Sequence, residues 1–195
     1  MSEAASVEAI VLAAGKGVRM GRIKPLVEID GRPTLARVLA TLRGAGMKRV
    51  IVILGHRADE IQENIDLADC VVAVNGDYES GMGSSLALGI GLVSEDSVGF
   101  LVVHADMPYV REETVRSILK RARTGAKIVA PTYKGARGFP VYLRVDCRDA
   151  LLPTLTGEVG ARDYIAKHEH DLELIEVDDP GATIDIDRPE DVIGG

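Results

Sequence analysis

Residues 7–24 read VEAIVLAAGKGVRMGRIK and carry the strongest signal for the fold. Its first part, Val7 to Ala13, is a short hydrophobic run that is partly β-branched, which is typical of a strand buried on both faces. Glycines at positions 15, 17 and 21 follow directly. The stretch therefore predicts a buried first strand that ends in a glycine-rich loop.

Beyond this loop, segments with helical spacing of apolar residues alternate with short apolar runs. The predicted helices are 34–45, 59–67, 84–92, 112–123 and 161–167, and the predicted strands are 49–54, 70–74, 98–104, 127–130, 138–143 and 172–177. This alternation predicts an α/β fold, a three-layer Rossmann-like open sheet that is mainly parallel and has helices on both faces. The rhythm changes after Pro131, so we expect the C-terminal half to contribute an antiparallel strand at an edge of the sheet.

The bulk composition favours one soluble globular unit. The 195 residues contain no linker or internal repeat, so we expect a single domain over 1–195. The 30 acidic and 23 basic residues give a net charge of −7, which disfavours binding to nucleic acid or to an anionic membrane. Cys70 and Cys147 lie far apart and are expected to be reduced thiols. No targeting segment or membrane-spanning run is recognisable, so a cytoplasmic location is expected.

The glycine-rich loop is a candidate phosphate-binding loop. Gly15 and Gly17 allow backbone amides to approach an anion, while Lys16, Arg19 and Lys24 can add charge-assisted hydrogen bonds. The same residues also fit a plain turn with solvated basic side chains. In open α/β sheets, ligands bind beyond the carboxyl ends of the strands, so the loops after Ala13, Leu54, Val74 and His104 are expected to surround the site.

Two familiar phosphate loops do not match this spacing. A Walker loop requires Lys and then Ser or Thr after its last glycine, but Gly21 is followed by Arg22 and Ile23. The dinucleotide fingerprint requires a third glycine one residue earlier and an acidic residue at the end of the second strand, where this chain has Leu54-Gly55-His56. A P-loop NTPase and a dehydrogenase are therefore both disfavoured.

Asp106 is the candidate metal ligand. It follows the strand 98–104 at its carboxyl end and precedes Pro108, so its carboxylate is expected to project into the cleft, where Mg²⁺ is a natural partner. A turn or helix cap is the alternative role. His104 is two residues away and is expected to be a buried histidine at the strand end. No HExxH spacing is present, so a zinc hydrolase has little support.

Polar residues in three other loops are candidate ligand contacts. Asn75 is expected to contact the base or ribose, although Asn75-Gly76-Asp77 also fits a turn. The segment from Gly81 to Ser85 offers two hydroxyls that can hydrogen-bond the base or the acceptor, and Ser84 is the expected nucleotide contact; the alternative is that Ser84 caps the helix that follows. Gly160 and Arg162 open a predicted helix, where Arg162 faces an acceptor phosphate or is simply exposed.

Several motifs in order along the chain resemble those of the MobA-like NTP transferase family, and in particular its molybdenum cofactor cytidylyltransferase branch. They are LAAGKGVRMG (12–21) with KPL (24–26), Asn75 with GMGSSL (81–86), DMP (106–108), GFP (138–140), GEVGAR (157–162) and DIDRPED (185–191).

The resemblance implies a Mg²⁺-dependent nucleotidyltransferase that moves CMP from CTP, or GMP from GTP, onto the phosphate of molybdopterin with release of pyrophosphate. The expected roles are nucleotide binding by Leu12, Ala13, Ala14, Gly15, Gly17, Arg19, Lys24, Asn75 and Ser84, acceptor binding by Gly138, Gly160 and Arg162, metal binding by Asp106 and Asp187, and catalysis by Arg19, Lys24 and Asp106. Asp185 is the alternative second metal ligand. A molybdoenzyme is the maturation partner that the resemblance suggests.

Two residues depart from the pattern of that branch, because Phe139 stands where it usually has His and Glu158 where it usually has Asp. Both lie in the half expected to meet the acceptor, so the acceptor stays open. The alternatives are a nucleotidyltransferase for a sugar, polyol or other cofactor phosphate, and, from another class, a non-catalytic protein that binds a nucleotide or cofactor.

Overall fold

The computed structural model describes residues 6–17, 23–188 and 191. Within them the strands are β1 (Val7–Ala13), β2 (Glu28–Ile29), β3 (Arg32–Pro33), β4 (Val50–Leu54), β5 (Cys70–Val74), β6 (Gly99–His104), β7 (Ile128–Tyr133), β8 (Ala136–Arg137), β9 (Val141–Arg144) and β10 (Leu172–Glu176). The α-helices are α1 (Thr34–Gly44), α2 (Ala58–Asn64), α3 (Met82–Gly91), α4 (Glu112–Ala122), α5 (Arg148–Leu151) and α6 (Arg162–Lys167). Single turns of 3₁₀ helix join several of these elements.

The main sheet is open and mostly parallel. Its strand order is β10-β7-β9-β6-β1-β4-β5, and β8 pairs with the end of β7. β1 lies between β4 and β6 and is parallel to both. β5 continues the parallel run on one side, and β10 is parallel to β7 on the other. The predicted fold class, a Rossmann-like sheet with an antiparallel strand from the C-terminal half, is confirmed.

The predicted position of the antiparallel strand at a sheet edge is wrong. β9 lies inside the sheet, antiparallel to β6 on one side and to β7 on the other, and the parallel strand β10 forms the edge. Val141, Tyr142 and Leu143 are all buried, so β9 has apolar side chains on both faces. A strand of this kind is stable only where layers cover both of its faces.

Alternate side chains of the strands enter two separate cores, one on each face of the sheet. Ile10 and Leu12 pack on the side that carries α3, α5 and α6, whereas Val11 and Ala13 pack on the side of α1, α2 and α4. Burying each Ile or Leu side chain contributes about 1.5–3 kcal/mol. The period-two pattern of the central strands therefore fixes the three layers. Among the described residues, no helix is both long and apolar enough to cross a membrane.

Several predicted elements differ from the observed ones at their ends, and two of them show the physical reason clearly. The helix predicted over 59–67 ends at Asn64, because Ile65 has an extended backbone with φ −129°. The strand predicted over 138–143 begins only at Val141. The amide of Gly138 donates instead to the carbonyl of Pro131 and that of Phe139 to the carbonyl of Ala182, at 2.8 Å each. Both amides are thus used outside the regular strand ladder.

A buried carboxylate ties the segment after β10 to the start of α4. Asp179 is 2% exposed and accepts hydrogen bonds from the Arg111 amide (2.9 Å), the Thr114 hydroxyl (2.6 Å) and the Gly181 amide (3.0 Å). Gly181 lies directly against the chain at Tyr109, where a side-chain Cβ would come within 2.0 Å of the carbonyl oxygen of Tyr109. These contacts fix the path of the chain toward residues 185–187.

Replacing Asp179 by Ala is expected to lower the free energy of unfolding by about 3 kcal/mol, because buried donors lose their acceptor. Denaturant unfolding followed by circular dichroism measures this change. The matched control is Asp178→Ala, since Asp178 is exposed and its carbonyl, which accepts from Arg111, is unchanged by the substitution. The control is expected to stay within about 0.5 kcal/mol of the parent. Equal losses in the two variants would contradict the structural role of Asp179.

Candidate functional site

Two adjoining cavities open at the carboxyl ends of the central parallel strands. The first has a volume of about 550 Å³ and the second about 610 Å³. Their common wall consists of Lys24, Met82, His104, Asp106, Glu158 and Asp187. Ligand sites of open α/β sheets lie at this end of the strands, where their loops gather. The arrangement offers space for two molecules, one on each side of a shared charged wall.

The glycine-rich loop forms one side of the first cavity. Leu12, Ala14, Gly15 and Gly17 line it, whereas Ala13 points into the core beneath α1. Of the loops expected around the site, those after β1, β5 and β6 line this cavity, and the loop after β4 packs behind it. The His56 amide donates to the Ala14 carbonyl there, at 3.1 Å.

Arg19, expected to contact the nucleotide and to act in catalysis, lies outside the described residues, as do Val18, Met20, Gly21 and Arg22. Lys24, the next predicted cation along the chain, is described and lines both cavities. Its backbone is fixed by the Thr34 hydroxyl, which donates to the Lys24 carbonyl at 2.6 Å. This hydrogen bond fixes the backbone from which the Lys24 side chain extends into the cavities.

The loop after β5 forms the opposite side of the first cavity. Asn75 makes the turn that its sequence suggested, since its Oδ1 accepts from the Asp77 amide at 2.9 Å. Its amide group donates to the Ser84 and Ser85 hydroxyls at 2.8 and 2.9 Å. Neither Asn75 nor Ser84 lines the cavity, whereas Ser85 does. Asn75 therefore positions Ser85 from behind the wall.

The alternative role of Ser84 as a helix cap is wrong, because α3 begins two residues earlier, at Met82. The Ser84 hydroxyl instead contacts the carbonyls of Asp77 and Gly81, at 3.0 and 2.9 Å. Of the two serine hydroxyls in this segment, Ser84 was selected from the sequence as the ligand contact and Ser85, which is 4% exposed, was not. Serine pairs within a loop do not reveal which hydroxyl faces a cavity, since that depends on where the helix starts.

The common wall brings Lys24, Asp106 and Asp187 into direct contact. The Lys24 ammonium lies 2.9 Å from Oδ2 of Asp106 and 2.5 Å from Oδ1 of Asp187, residues that are 82 and 163 positions away in the chain. Burial acts to lower the pKa of Lys24, but the charges and hydrogen bonds of the two aspartates outweigh it and the net pKa is raised. Lys24 is therefore a cation at neutral pH.

Backbone contacts hold the two aspartates together. The Ile186 amide donates to the Asp106 carbonyl at 2.8 Å, which places residues 185–187 beside the end of β6. The Asp191 carboxylate then accepts from the amides of Asp187 (2.9 Å) and Arg188 (2.7 Å) and fixes the turn that follows. The acidic group thus depends on the C-terminal segment returning across the sheet.

Asp185 completes a group of three carboxylates. One oxygen from each of Asp106, Asp185 and Asp187 lies within 4.8 Å of the others. Asp185 is exposed and lines only the second cavity, whereas Asp106 and Asp187 line both. Clustered hard oxygen donors fit a hard divalent cation such as Mg²⁺ or Mn²⁺. The cluster has an excess of negative charge over Lys24, which such a cation would neutralise.

His104 ends β6 in the wall between the cavities. Its ring packs edge-on against Phe139, with 4.4 Å between the ring centroids. Burial lowers the pKa of His104, and the nearby Asp106 and Asp185 only partly oppose this. The neutral imidazole therefore predominates at pH 7, and His104 is not part of the carboxylate cluster.

The second cavity is mixed in character. Its apolar part includes Leu86, Val102, Phe139, Val141 and Ile165, and its cationic side chains among the described residues are Lys24, Arg137 and Arg162. Both departures from the cytidylyltransferase pattern lie in its wall, Phe139 beside His104 and Glu158 where the two cavities meet. Sequence reasoning did not select Arg137, which reaches the wall from β8, a strand too short to be recognised by pattern.

Two of the predicted acceptor residues, Gly138 and Arg162, line this cavity, whereas Gly160 packs behind Met82. Gly138 allows a close backbone approach, since a Cβ there would lie 2.1 Å from the Ala182 carbonyl oxygen. Gly81, with φ +110°, likewise lies against Gly157, where a Cβ would meet the carbonyl oxygen at 2.4 Å. This second contact joins the loop after β5 to the segment that carries Glu158.

The mostly parallel open sheet with helices on both faces is the Rossmann-like fold of nucleotidyltransferases. A family model described as the MobA-like NTP transferase domain matches residues 9–172. The chain belongs to this family.

Individual relatives agree with this assignment. Nicotine blue oxidoreductase of Paenarthrobacter nicotinovorans is 30% identical over 192 residues, which cover 94% of this chain and 93% of that protein. The bifunctional protein GlmU of Geobacter sulfurreducens is 34% identical over 131 residues, or 65% of this chain. The chain spans only about a quarter of GlmU, since the match covers 27% of that protein.

Among solved structures, Rv0371c of Mycobacterium tuberculosis superposes with a TM-score of 0.86 at 24% identity, over 97% of this chain and 96% of that one. A second structure of Rv0371c, a complex with manganese, has a TM-score of 0.84 over the same share of both chains. This likeness concerns the fold.

Proposed function

We propose that the protein transfers a nucleoside monophosphate, CMP from CTP, to a phosphate-bearing acceptor, molybdopterin, and releases pyrophosphate. The single observation that carries the proposal is the common wall, where Lys24, Asp106 and Asp187 separate the glycine-lined cavity from the one with Arg162. A nucleotide in the first cavity and an acceptor in the second would meet at this charged group. Such positioning converts a bimolecular step into one within a complex.

The chemistry needs no nucleophile from the protein. An acceptor phosphate monoester has a second pKa of about 6, so it is mostly dianionic at pH 7 and can attack the α-phosphorus directly. Catalysis then requires alignment and neutralisation of negative charge on the transferring group. Lys24 supplies a cation at the wall. Arg162 lines the second cavity, and we propose that it holds the acceptor phosphate.

We propose Mg²⁺ as the metal, with Asp106 and Asp187 as its ligands and Asp185 as an alternative. When bound, the ion would neutralise phosphate oxygens and help to align the reacting groups. The proposal is supported by the proximity of three carboxylates and by the excess of negative charge that they place beside the nucleotide cavity. The chain's own part is to hold these oxygens together through the backbone contact between Ile186 and Asp106.

Contact with the base is proposed to involve Ser85. Its hydroxyl oxygen accepts a hydrogen bond from the Asn75 amide, which leaves the hydroxyl proton available for an acceptor atom in the cavity. Cytosine offers its O2 and N3 atoms as acceptors, so this donor is compatible with CTP.

The test is to incubate the purified protein with Mg²⁺, each of the four NTPs and a panel of phosphate acceptors, and to measure pyrophosphate release. The panel includes molybdopterin, sugar phosphates and polyol phosphates. Release is expected with CTP and molybdopterin together and not with either alone. Release with a sugar or polyol phosphate would move the assignment to the alternative acceptor. No release with any pair would contradict the enzyme proposal.

A second candidate function follows from the relative that matches along nearly its whole length, which is named as an oxidoreductase. In that case the first cavity would hold the nucleotide part of a redox cofactor. Oxidation of NADH or NADPH by a dye acceptor, measured by absorbance, would favour this candidate if no pyrophosphate is released. The charged wall favours the transferase.

A further inference from the structure

An ion pair joins two loops on the exposed part of the first cavity wall. Lys16 Nζ, from the loop after β1, lies 2.5 Å from Glu79 Oε1, from the loop after β5. Both residues line the cavity, with side chains that are 44% and 64% exposed. The Lys16 ammonium also lies 5.9 Å from the centre of the Tyr78 ring. The pair therefore spans β4, which separates the two strands.

The loops do not need this pair to keep their shape. On the β5 side, the Asn75 side chain and the Ser80 hydroxyl, which contacts the Asp77 carbonyl at 2.8 Å, brace the turn. On the β1 side, the Ala14 carbonyl is fixed by the His56 amide. Exposed ion pairs contribute little to stability because water screens them and side-chain entropy opposes them. The exchange of one partner for another is therefore energetically easy.

Both groups are ionised. The hydrogen bond and charge of Glu79 raise the pKa of Lys16, and those of Lys16 lower the pKa of Glu79. Lys16 stands between two glycines, Gly15 and Gly17, in the loop that lines the nucleotide cavity. The Lys16 ammonium therefore lies in the wall that a bound triphosphate would face. In the structure this ammonium is paired with the Glu79 carboxylate.

We infer that Lys16 is a triphosphate-binding residue that is paired with Glu79 when the cavity holds no nucleotide. An incoming triphosphate then replaces the Glu79 carboxylate as the partner of the Lys16 ammonium. This inference rests on the proposed function, because it takes the first cavity as the nucleotide site. Glu79 has two effects on an anion in that cavity: it competes for Lys16 and it repels negative charge. Every anion must break the contact between Lys16 and Glu79, but an anion of low charge is attracted to Lys16 less strongly than a triphosphate. The pair therefore selects triphosphate over monophosphate.

The two variants Lys16→Gln and Glu79→Gln are expected to change affinity in opposite directions. Lys16→Gln removes a cationic ligand and is expected to weaken Mg·CTP binding about tenfold. Glu79→Gln frees Lys16 and removes a negative charge, and is expected to tighten binding about threefold, with a larger relative gain for CMP than for CTP. Both effects should shrink at 0.5 M salt because screening weakens exposed charges. A pair with a merely structural role would instead give losses in both variants.

The experiment is calorimetric titration of the full chain and its variants with Mg·CTP, CMP and inorganic tripolyphosphate. Lys16→Gln/Glu79→Gln is included. It is expected to bind more tightly than Lys16→Gln alone but by a smaller factor than Glu79→Gln gains over the parent, because only the charge repulsion by Glu79, and not its competition for Lys16, is left to remove. Glu63→Gln and Lys120→Gln are matched controls on exposed helix faces of α2 and α4. A thermal unfolding scan on each protein confirms that the fold is retained.

The outcomes separate the two proposals. Opposite shifts in the single variants, with unchanged controls, support the inference. Weaker or unchanged binding in Glu79→Gln overturns the inference and leaves the proposed function standing if the parent still binds Mg·CTP. No binding of Mg·CTP or tripolyphosphate by the parent or by Glu79→Gln overturns both.

Discussion

Asp106→Asn is expected to reduce turnover about 10³-fold or more while the protein stays folded. The substitution keeps the size of the side chain but removes the charge that contacts Lys24 and that we propose binds the metal. Losing one preorganised electrostatic contact to a transferring phosphate typically costs about 10²–10³-fold, and loss of a metal ligand adds to this. Steady-state pyrophosphate release measures the effect.

The fold is expected to survive because the Asp106 side chain is about a quarter exposed, at 24%, and its backbone carbonyl still accepts from Ile186. Asp96→Asn is the matched control, since Asp96 is an exposed acid before β6, at the other end of that strand. Its turnover should equal that of the parent. Retention of more than a tenth of the activity in Asp106→Asn would remove Asp106 from the proposed metal site.

The three carboxylates should not be equivalent. Asp187 contacts Lys24 and lines both cavities, whereas Asp185 is exposed and lines only the second. Asp187→Asn is therefore expected to approach the loss seen for Asp106→Asn, and Asp185→Asn to lose less. The opposite order would make Asp185 the second ligand.

Lys24→Met is expected to lower turnover about 10²–10³-fold. The substitution retains the length and apolar stem of the side chain but removes the cation between the two aspartates, so charge on the transferring phosphoryl group is less well neutralised. The backbone should stay in place because Thr34 holds the Lys24 carbonyl. Single-turnover measurements at saturating Mg·CTP separate this chemical defect from weaker binding.

Lys120→Met serves as the control for removal of a lysine charge, because Lys120 is exposed on α4. It should leave the single-turnover rate unchanged. If Lys24→Met changed only the KM for CTP and left the maximal rate intact, Lys24 would be a binding residue and would have no part in the chemical step.

The sequence predicted the layers well because their signal is local. The apolar run of β1 and the helical spacing of α1 each report burial from neighbouring residues alone. The place of β9 between β6 and β7 could not be predicted in the same way, because strand order depends on pairing between residues far apart in the chain. Its apolar residues on both faces indicate burial, but they do not show which strands lie on either side of it.

In the candidate site, too, some residues could be selected from local sequence signals and others depend on contacts between distant parts of the chain. Lys24 and Asp106 were selected from a loop and a strand end, and the structure places them 2.9 Å apart. The pairing of Lys16 with Glu79 could not be predicted, since both residues belong to loops with no periodic pattern. Asn75 was selected as a ligand contact, yet it lies behind Ser85, because a side-chain direction follows from the packing of α3.

Isotopic labelling distinguishes nucleotidyl transfer, in which the acceptor attacks the α-phosphorus, from transfer of the γ-phosphate. The protein is incubated with Mg²⁺, molybdopterin and CTP labelled with ³²P at either the α or the γ position, and the products are separated by chromatography. With nucleotidyl transfer, we expect the α label in the nucleotide-linked acceptor and the γ label in pyrophosphate. Appearance of the γ label in inorganic phosphate or on the acceptor, with the α label left in CDP, would contradict nucleotidyl transfer.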